Sequence, residues 1–314
     1  VMVGLIDEKK IDLLLSKVNN YIDSQGSGEG IFPTRIDGFN LHRTFAKVMP
    51  VSQVYRPQLC VVLQGSKQIL FGENMLDYHA LECLVVSMEL PASGRIAEAT
   101  PSLPFIGITL DIDKDDVAEV VAKFDAVSSS CDPVESCAFV VKLDDMFLDC
   151  LLRLINLLDR PSSLPILYPS LMKELYCWFL DGAYASEFCK LAIPDSQMQR
   201  LTKAIEFLRK NFNKKLSIKQ LAEVAKMSPS SFRKNFKAAT STTSLQYQKN
   251  LRLLEARRLM VSESKSVAEA AYEVGYESPS QFSREYLRTF NTNPKRDAMN
   301  LKDLHSKYAG RKAR

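Results

Sequence analysis

SVAEAAYEVGYESPSQFSREYLRTFNTNP, running from Ser266 to Pro294, reads as two short helices joined by a tight turn. Val267, Ala270, Ala271 and Val274 fall at helical spacing, and the small alanines let a second helix approach closely. Gly275 ends the first helix, because the position just past a helix end commonly needs a positive φ, which glycine adopts at no steric cost. Ser278 followed by Pro279 starts the second: the hydroxyl accepts from an orphan N–H, and proline at the first helical position gives up a donor that had no partner. That helix carries Phe282, Tyr286 and Phe290 on one aromatic face and leaves Ser280, Gln281, Ser283, Arg284 and Arg288 on the others. A packed aromatic underside with a polar, cationic top suits the major groove of DNA. An ordinary surface hairpin would share the caps and the aromatic face.

What such a hairpin would not share is a second copy. Fifty residues upstream, Ser228-Pro229 repeats Ser278-Pro279, and Phe232 and Phe236 repeat Phe282 and Tyr286 at the same offset. Aligning Leu221 with Ala270 leaves the turn of the later copy one residue longer. Between the copies a helix from Ser244 to Met260 presents Tyr247, Leu251, Leu254 and Leu259, which hold both units to one core. Its length of roughly 26 Å is set by a rise of about 1.5 Å per residue. A rod of that size can place two helices on one face of a duplex, where major-groove segments recur every ~34 Å. Upstream, Leu201, Ile205, Leu208 and Phe212 mark a further helix, and Ser217 caps the stretch Ile218 to Ala225.

With Phe232, Phe236 and Ala239 turned inward, Ser230, Ser231, Arg233, Lys234 and Lys237 are left outward on the first copy. Ser280, Gln281, Arg284 and Arg288 correspond on the second. Arginine can bond both acceptors of a guanine and glutamine both groups on an adenine edge, so Arg233, Arg284 and Gln281 are the expected carriers of specificity. Lys214, Lys226 and Lys249 are expected to add attraction that ignores sequence.

Composition agrees with a polyanion partner for this end of the chain. The net charge of +4 hides 25 Lys+Arg against 11 Asp+Glu in residues 195–314 and 16 against 26 in residues 1–194. At 314 residues, 46% hydrophobic and 25% charged, the chain is long enough for two globular domains. No apolar run approaches the ~18 residues of a membrane span, and the start lacks the order of a signal peptide, so no membrane partner and a cytoplasmic location are expected. The seven cysteines (60, 83, 131, 137, 150, 177 and 189) form no CxxC pair and are expected reduced and buried.

The front of the chain changes period twice. After a predicted first helix through Tyr21 and the loop SQGSGEG, short segments rich in β-branched and aromatic residues at 31–36, 39–48, 59–64, 67–71, 75–78, 83–88 and 105–110 predict a small antiparallel barrel or sandwich. Helices are then predicted after Asp113, over Leu143 to Leu158, and over Pro169 to Leu180. Stripes this apolar pack on the barrel or along a homodimer seam. Around Pro194 the charge changes sign, which divides the chain into domains of residues 1–193 and 196–300 with a basic tail, 301–314. Small barrels of this kind also house metal enzymes, but such centres need clustered histidines, and only His42 and His79 lie in this part. No metal, no cofactor and no catalytic residue are expected, and no effector-binding residue is assigned.

The segments LSIKQLAEVAKMSPSSFRKNFKAAT, LQYQKNLRLLEARRLM and VAEAAYEVGYESPSQFSREYLRTFNTNP together resemble the DNA-binding region of the AraC/XylS family of bacterial transcription regulators. YRPQLCVVLQGSKQILFGEN and LVVSMELPASGRI resemble the cupin-type amino-terminal domain of one branch of that family. The resemblance implies an α+β chain: a cupin-like β-barrel with flanking helices, then an all-α domain of two helix-turn-helix units. In the family's register Ser230, Arg233 and Lys234 face bases with Lys237 near the backbone, and Ser280, Gln281 and Arg284 face bases with Arg288 toward phosphate. It further implies a dimeric, nucleoid-associated regulator of promoter half-sites in double-stranded DNA, more often an activator working with RNA polymerase than a repressor, with or without a small-molecule effector. Two turns depart from the family pattern: Ser241 and Ser244 stand where Gly and Pro are common, and Asn291 stands for Gly.

Overall fold

The computed structural model describes residues 7–124, 136–182, 185–191, 193 and 195–309. They form two compact units, one of residues 1–202 with 238–241, the other of residues 203–237 with 242–314.

In the first unit, helix α1 (Glu8–Ser24) starts on Asp7, whose carboxylate accepts from the Lys9 N–H at 3.0 Å, and it buries Leu14, Val18 and Ile22 along one face. Ten strands follow among the described residues: β1 (Gly30–Pro33), β2 (Phe39–Thr44), β3 (Val48–Tyr55), β4 (Gln58–Gln64), β5 (Ser66–Phe71), β6 (Asn74–His79), β7 (Glu82–Val86), β8 (Leu90–Glu98), β9 (Phe105–Asp111) and, beyond α2 (Lys114–Lys123), β10 (Ala138–Lys142). They pair antiparallel into a six-stranded sheet, β1-β2-β9-β4-β7-β10, and a four-stranded sheet, β3-β8-β5-β6. Both sheets are open, which corrects the expected barrel. Strand spacing is the same for a closed barrel and for two sheets; closure is decided by pairing between edge strands, and no edge of one sheet pairs with an edge of the other.

β8, β10 and most of β3 fall outside the strands that the sequence predicts. β3 carries Pro50 and β8 carries Pro91 and Gly94, residues that read as breakers but are tolerated at edges and irregular pairings, and both strands show a register shift. β10 returns to pair with β7 after a helix, a long-range pairing without a local signal.

Leu59, Val61 and Leu63 of β4 join one core with α1, α3 (Asp145–Leu157) and α4 (Leu164–Asp181). The Lys10 ammonium ties α1 to α3 through Asp145 at 2.6 Å and Asp149 at 2.8 Å. Buried Arg43 of β2 spreads its guanidinium over the Gly28 carbonyl, Asn19 and Asp23, which folds the SQGSGEG loop back on α1. α4 begins five residues before its expected start, so Pro169 lies inside it; the bond its missing N–H forgoes is to the carbonyl of Pro165, in the first turn. A short α5 (Ala185–Cys189) follows. Cys60, Cys83, Cys137, Cys150 and Cys189 are buried thiols and Cys177 is half-buried; Cys131 and the Pro194 break lie outside the described residues.

The second unit begins within α6 (Gln197–Lys210) and continues through α7 (Ile218–Val224), α8 (Pro229–Thr240), α9 (Ser244–Ser262), α10 (Val267–Glu273), α11 (Pro279–Phe290) and α12 (Pro294–Ala309). Residues 301–309, expected as tail, continue α12; Asn293 caps it by accepting from the Arg296 N–H at 2.8 Å, and Pro294 fills its first position. Residues 310–314 lie outside the described residues.

Candidate nucleic-acid interface

The duplication extends to hydrogen bonds. α7 and α10 both start on a reciprocal cap, Ser217 with Gln220 and Ser266 with Glu269. Both end in the same pair of bonds: Lys226 N–H to Glu223 and Met227 N–H to Ala222 in one, Gly275 N–H to Tyr272 and Tyr276 N–H to Ala271 in the other. Lys226 and Gly275 therefore occupy equivalent left-handed positions, with φ of +51° and +90°. The extra residue of the later turn falls between Gly275 and Ser278, as the alignment places it. After the recognition helices, Ser241 and Asn291 both adopt φ of +54°. Each takes the conformation that glycine usually supplies there. Serine does so at a cost of about 1 kcal/mol, whereas asparagine bears it better. Thr243 caps α9 by accepting from the Gln246 N–H at 3.2 Å, so Ser244 fills the first helical position where proline is common.

On α8, Phe232, Phe236 and Ala239 are buried, and Phe236 meets the Tyr247 ring edge-on with centroids 5.5 Å apart. Ser230, Arg233, Lys234 and Lys237 are exposed and Ser231 is half-buried. On α11 the aromatic face forms a ladder: Tyr276 to Phe282 at 5.3 Å, Phe282 to Tyr286 at 5.4 Å, Tyr286 to Phe290 at 4.5 Å. Ser280, Gln281, Arg284 and Arg288 are exposed on its other side. Each helix thus turns its expected contact residues to solvent while rings clamp its underside.

Three polar anchors tie α9 to α11, to α12 and to the segments that enter the two units. Asp297, 6% exposed, takes a two-pronged bond from Arg257 (2.7 and 3.0 Å) and a third from the Tyr286 hydroxyl at 2.6 Å, while Arg257 lies 4.7 Å over the Phe290 ring. Burial and then Asp297 raise the Tyr286 phenol, so it stays a donor. Arg252 of α9 donates to the carbonyls of Phe212 (2.7 Å), Gly275 (2.9 Å) and Lys214 (3.0 Å), and Gln248 doubles the bonds to Phe212 and Lys214. The third anchor is Glu285, whose carboxylate accepts from Lys249 at 3.0 Å. Lys249, expected to attract DNA without sequence preference, is thus engaged in an ion pair. Sequence reading missed Arg252, Arg257 and Glu285 as site residues, because the partners that fix them, Phe212, Asp297 and Lys249, lie 40, 40 and 36 positions away in the chain.

Two spaces in the first unit differ greatly in size. Between the sheets, His42, Cys60, Lys67, Tyr78 and Thr109 enclose only about 10 Å³. Burial, and behind it Lys67, pushes the His42 imidazole down to about 3, so it is neutral, and it pairs with Thr109 Oγ1 at 3.1 Å. Among α1, α3 and α4 lies a cavity of about 690 Å³, lined by Leu157, Leu167 and Leu171 with Lys17, Arg153 and Arg160. Among the described residues, no three His, Cys, Asp or Glu side chains come together as a metal-ligand group, and no helix is long and apolar enough to cross a membrane.

A family model described as the AraC-type transcriptional regulator N-terminus matches residues 35–186, and a helix-turn-helix domain model matches residues 221–298. The chain belongs to the AraC family. Within it, the XylDLEGF operon transcriptional activator 2 of Pseudomonas putida is 33% identical over 96 residues, 29% of this chain. The transcriptional activator RhaS of Yersinia pestis is 27% identical over 107 residues, 34% of this chain. The matched stretches span 60% of the length of the Pseudomonas protein and 39% of the Yersinia protein. An apo ToxT variant of Vibrio cholerae superposes with a TM-score of 0.56 over 85% of this chain and 99% of its own, at 10% identity. Wild-type ToxT with unsaturated fatty acid bound gives 0.55 over 87% and 96%, also at 10% identity. ToxT thus shares the fold of this chain, a β-rich unit followed by a helical one.

Proposed function

We propose that the chain is a sequence-specific DNA-binding transcription regulator, an activator that works as a dimer on promoter half-sites. What supports this above all is the duplicated helix-turn-helix, with two cationic helix faces exposed on a shared aromatic and polar frame. Arg233 and Arg284 read guanine and Gln281 reads adenine; Ser230, Ser231, Lys234 and Ser280 border the same base edges, and Lys237 and Arg288 grip phosphate. The names of the relatives support activation; RNA polymerase as the partner and a place on the nucleoid in the bacterial cytoplasm complete the reading. A repressor would use the same residues. The domains that carry out these roles are residues 1–193 for dimerisation and effector response and 196–300 for DNA, with no enzymatic step in either.

Replacing Arg284 with alanine is expected to cost about 1 to 3 kcal/mol at the cognate site and to relax base choice there. Equilibrium binding to cognate and scrambled duplexes checks this; equal losses on both would reassign Arg284 to phosphate.

Dimerisation is supported by apolar side chains left exposed on α3 and α4, Met146 at 42%, Ile166 at 74% and Leu167 at 46%. For a small-molecule effector, the space among α1, α3 and α4 has ligand dimensions, whereas the gap between the sheets has room for about one water. A metabolite that raises the melting temperature of the chain is expected to lose much of that effect in Leu171→Trp, which puts an indole into the larger space. An undiminished shift in that variant would place the effector elsewhere.

A further inference from the structure

Glu285 is an acidic residue on a helix that faces a polyanion, and its surroundings explain it. Its Oε1 accepts from Lys249 of α9 at 3.0 Å and from the Gln281 amide nitrogen at 3.3 Å, and its Oε2 accepts from the Tyr276 hydroxyl at 2.9 Å. Lys249 and Tyr276 lie outside α11, so the carboxylate is fixed against two other elements. Burial pushes the Glu285 carboxyl up, but the bonds from Lys249, Tyr276 and Gln281 outweigh it and hold the group below the ordinary glutamate value. An ionised carboxylate only accepts, so Gln281 must offer it the NH2 end of its amide.

We propose that Glu285 is a positioning residue for base reading: it sets the amide of Gln281, and Asn235 does the same for Ser231 in the first copy. With one N–H spent on Glu285, Gln281 keeps one N–H and its carbonyl oxygen, the donor and acceptor that the N7 and N6 groups of adenine require. Asn235 stands at the same offset from Ser231 as Glu285 from Gln281, and its amide nitrogen donates to the Ser231 hydroxyl oxygen at 3.1 Å. That uses one of the two lone pairs of the Ser231 hydroxyl and leaves its hydrogen and the other lone pair free for a base edge. The same device serves both copies with different outcomes, a fixed donor and acceptor that demand adenine in the second and a hydroxyl without a single preferred base in the first. The pairing with Lys249 also offsets the repulsion that a carboxylate would otherwise exert on phosphate.

This rests on the DNA-binding reading above, and the test separates the two. The full chain and its variants Gln281→Ala, Glu285→Ala, Glu285→Gln and Arg284→Ala are titrated against the bound site and every single base-pair substitution of it. In the wild type one base pair read by Gln281 is expected to show about 10-fold discrimination. Gln281→Ala removes it. Glu285→Ala reduces it to about 2-fold while other positions stay within about 2-fold, and Glu285→Gln, which still offers a carbonyl acceptor, falls between. Full discrimination at that base pair in Glu285→Ala overturns the proposal. A uniform loss at every position does so too, since it would make Glu285 a packing residue of α11. If Arg284→Ala changes base choice but Gln281→Ala does not, the proposal falls and the DNA-binding reading stands. If the wild type shows no base preference anywhere, both fall.

Discussion

Asp297→Ala is expected to destabilise the carboxy-terminal unit by about 3 kcal/mol, the low end for breaking a buried ion pair. The substitution leaves the Arg257 guanidinium, 18% exposed, without its counter-charge, and the Tyr286 hydroxyl without its acceptor. An uncompensated buried cation costs more than the pair contributes, because its hydration is not restored. Three helices share the loss: α9 carries Arg257, α11 carries Tyr286, and α12 carries Asp297. Amide hydrogen exchange follows the unit by itself, and the slowest protons of α9 are expected to exchange about 150-fold faster, the equivalent of that free energy. Asp297→Asn, which keeps an acceptor for Tyr286, is expected to show a smaller change. Rates within about 3-fold of wild type in the alanine variant would mean that water reaches Arg257 and replaces the carboxylate.

Gly275→Ala is expected to cost about 2 to 4 kcal/mol, from two sources that act together. The φ of +90° lies outside the left-handed region that side chains tolerate, and a Cβ there would overlap the carbonyl oxygen of Asn213 and stand 2.8 Å from its carbon. Backbone cannot yield as a side-chain tip does. The displaced turn would also carry away the Gly275 carbonyl that Arg252 holds. Urea unfolding followed by tyrosine signals, together with binding to the cognate duplex, would register both losses. Lys226, at the matched position of the first copy with φ of +51°, shows what a side chain accepts there. A midpoint for Gly275→Ala equal to wild type would mean that the Asn213 segment moves aside freely.

How much was legible follows from how local each signal is. The caps Ser217 and Ser278, the aromatic spacing of Phe232, Phe236, Phe282 and Tyr286, and the inserted residue of the second turn are written within a few positions of the elements they specify. The structure places them accordingly. The β region was legible as β, with barrel and sandwich left open, since edge pairing is decided between segments far apart in the chain. β3 and β8 were hidden by Pro50, Pro91 and Gly94, which a local reading takes as breaks. Pro169 misplaced the start of α4 in the same way. At the interface, the outward residues of α8 and α11 follow from periodicity alone. The supports behind them do not: Arg252 meets Phe212 across 40 positions and Arg257 meets Asp297 across another 40. The Gln281 and Glu285 spacing was visible as a helical neighbour pair, but only Lys249 and Tyr276, arriving from elsewhere, give it a purpose.

The single guanidinium of Arg252 bonds to the segment that enters the first helix-turn-helix and to the turn inside the second. Two half-sites read by such a body cannot drift apart in phase. Adding one base pair between them rotates the second by about 35° around the duplex axis, given 10 to 10.5 base pairs per turn. A linker would absorb that rotation, whereas a bolted frame converts it into strain on DNA or loss of one grip. On the DNA-binding reading proposed above, Arg252 makes the chain a counter of base pairs, expected to be intolerant of insertion between half-sites even where each half-site is unchanged.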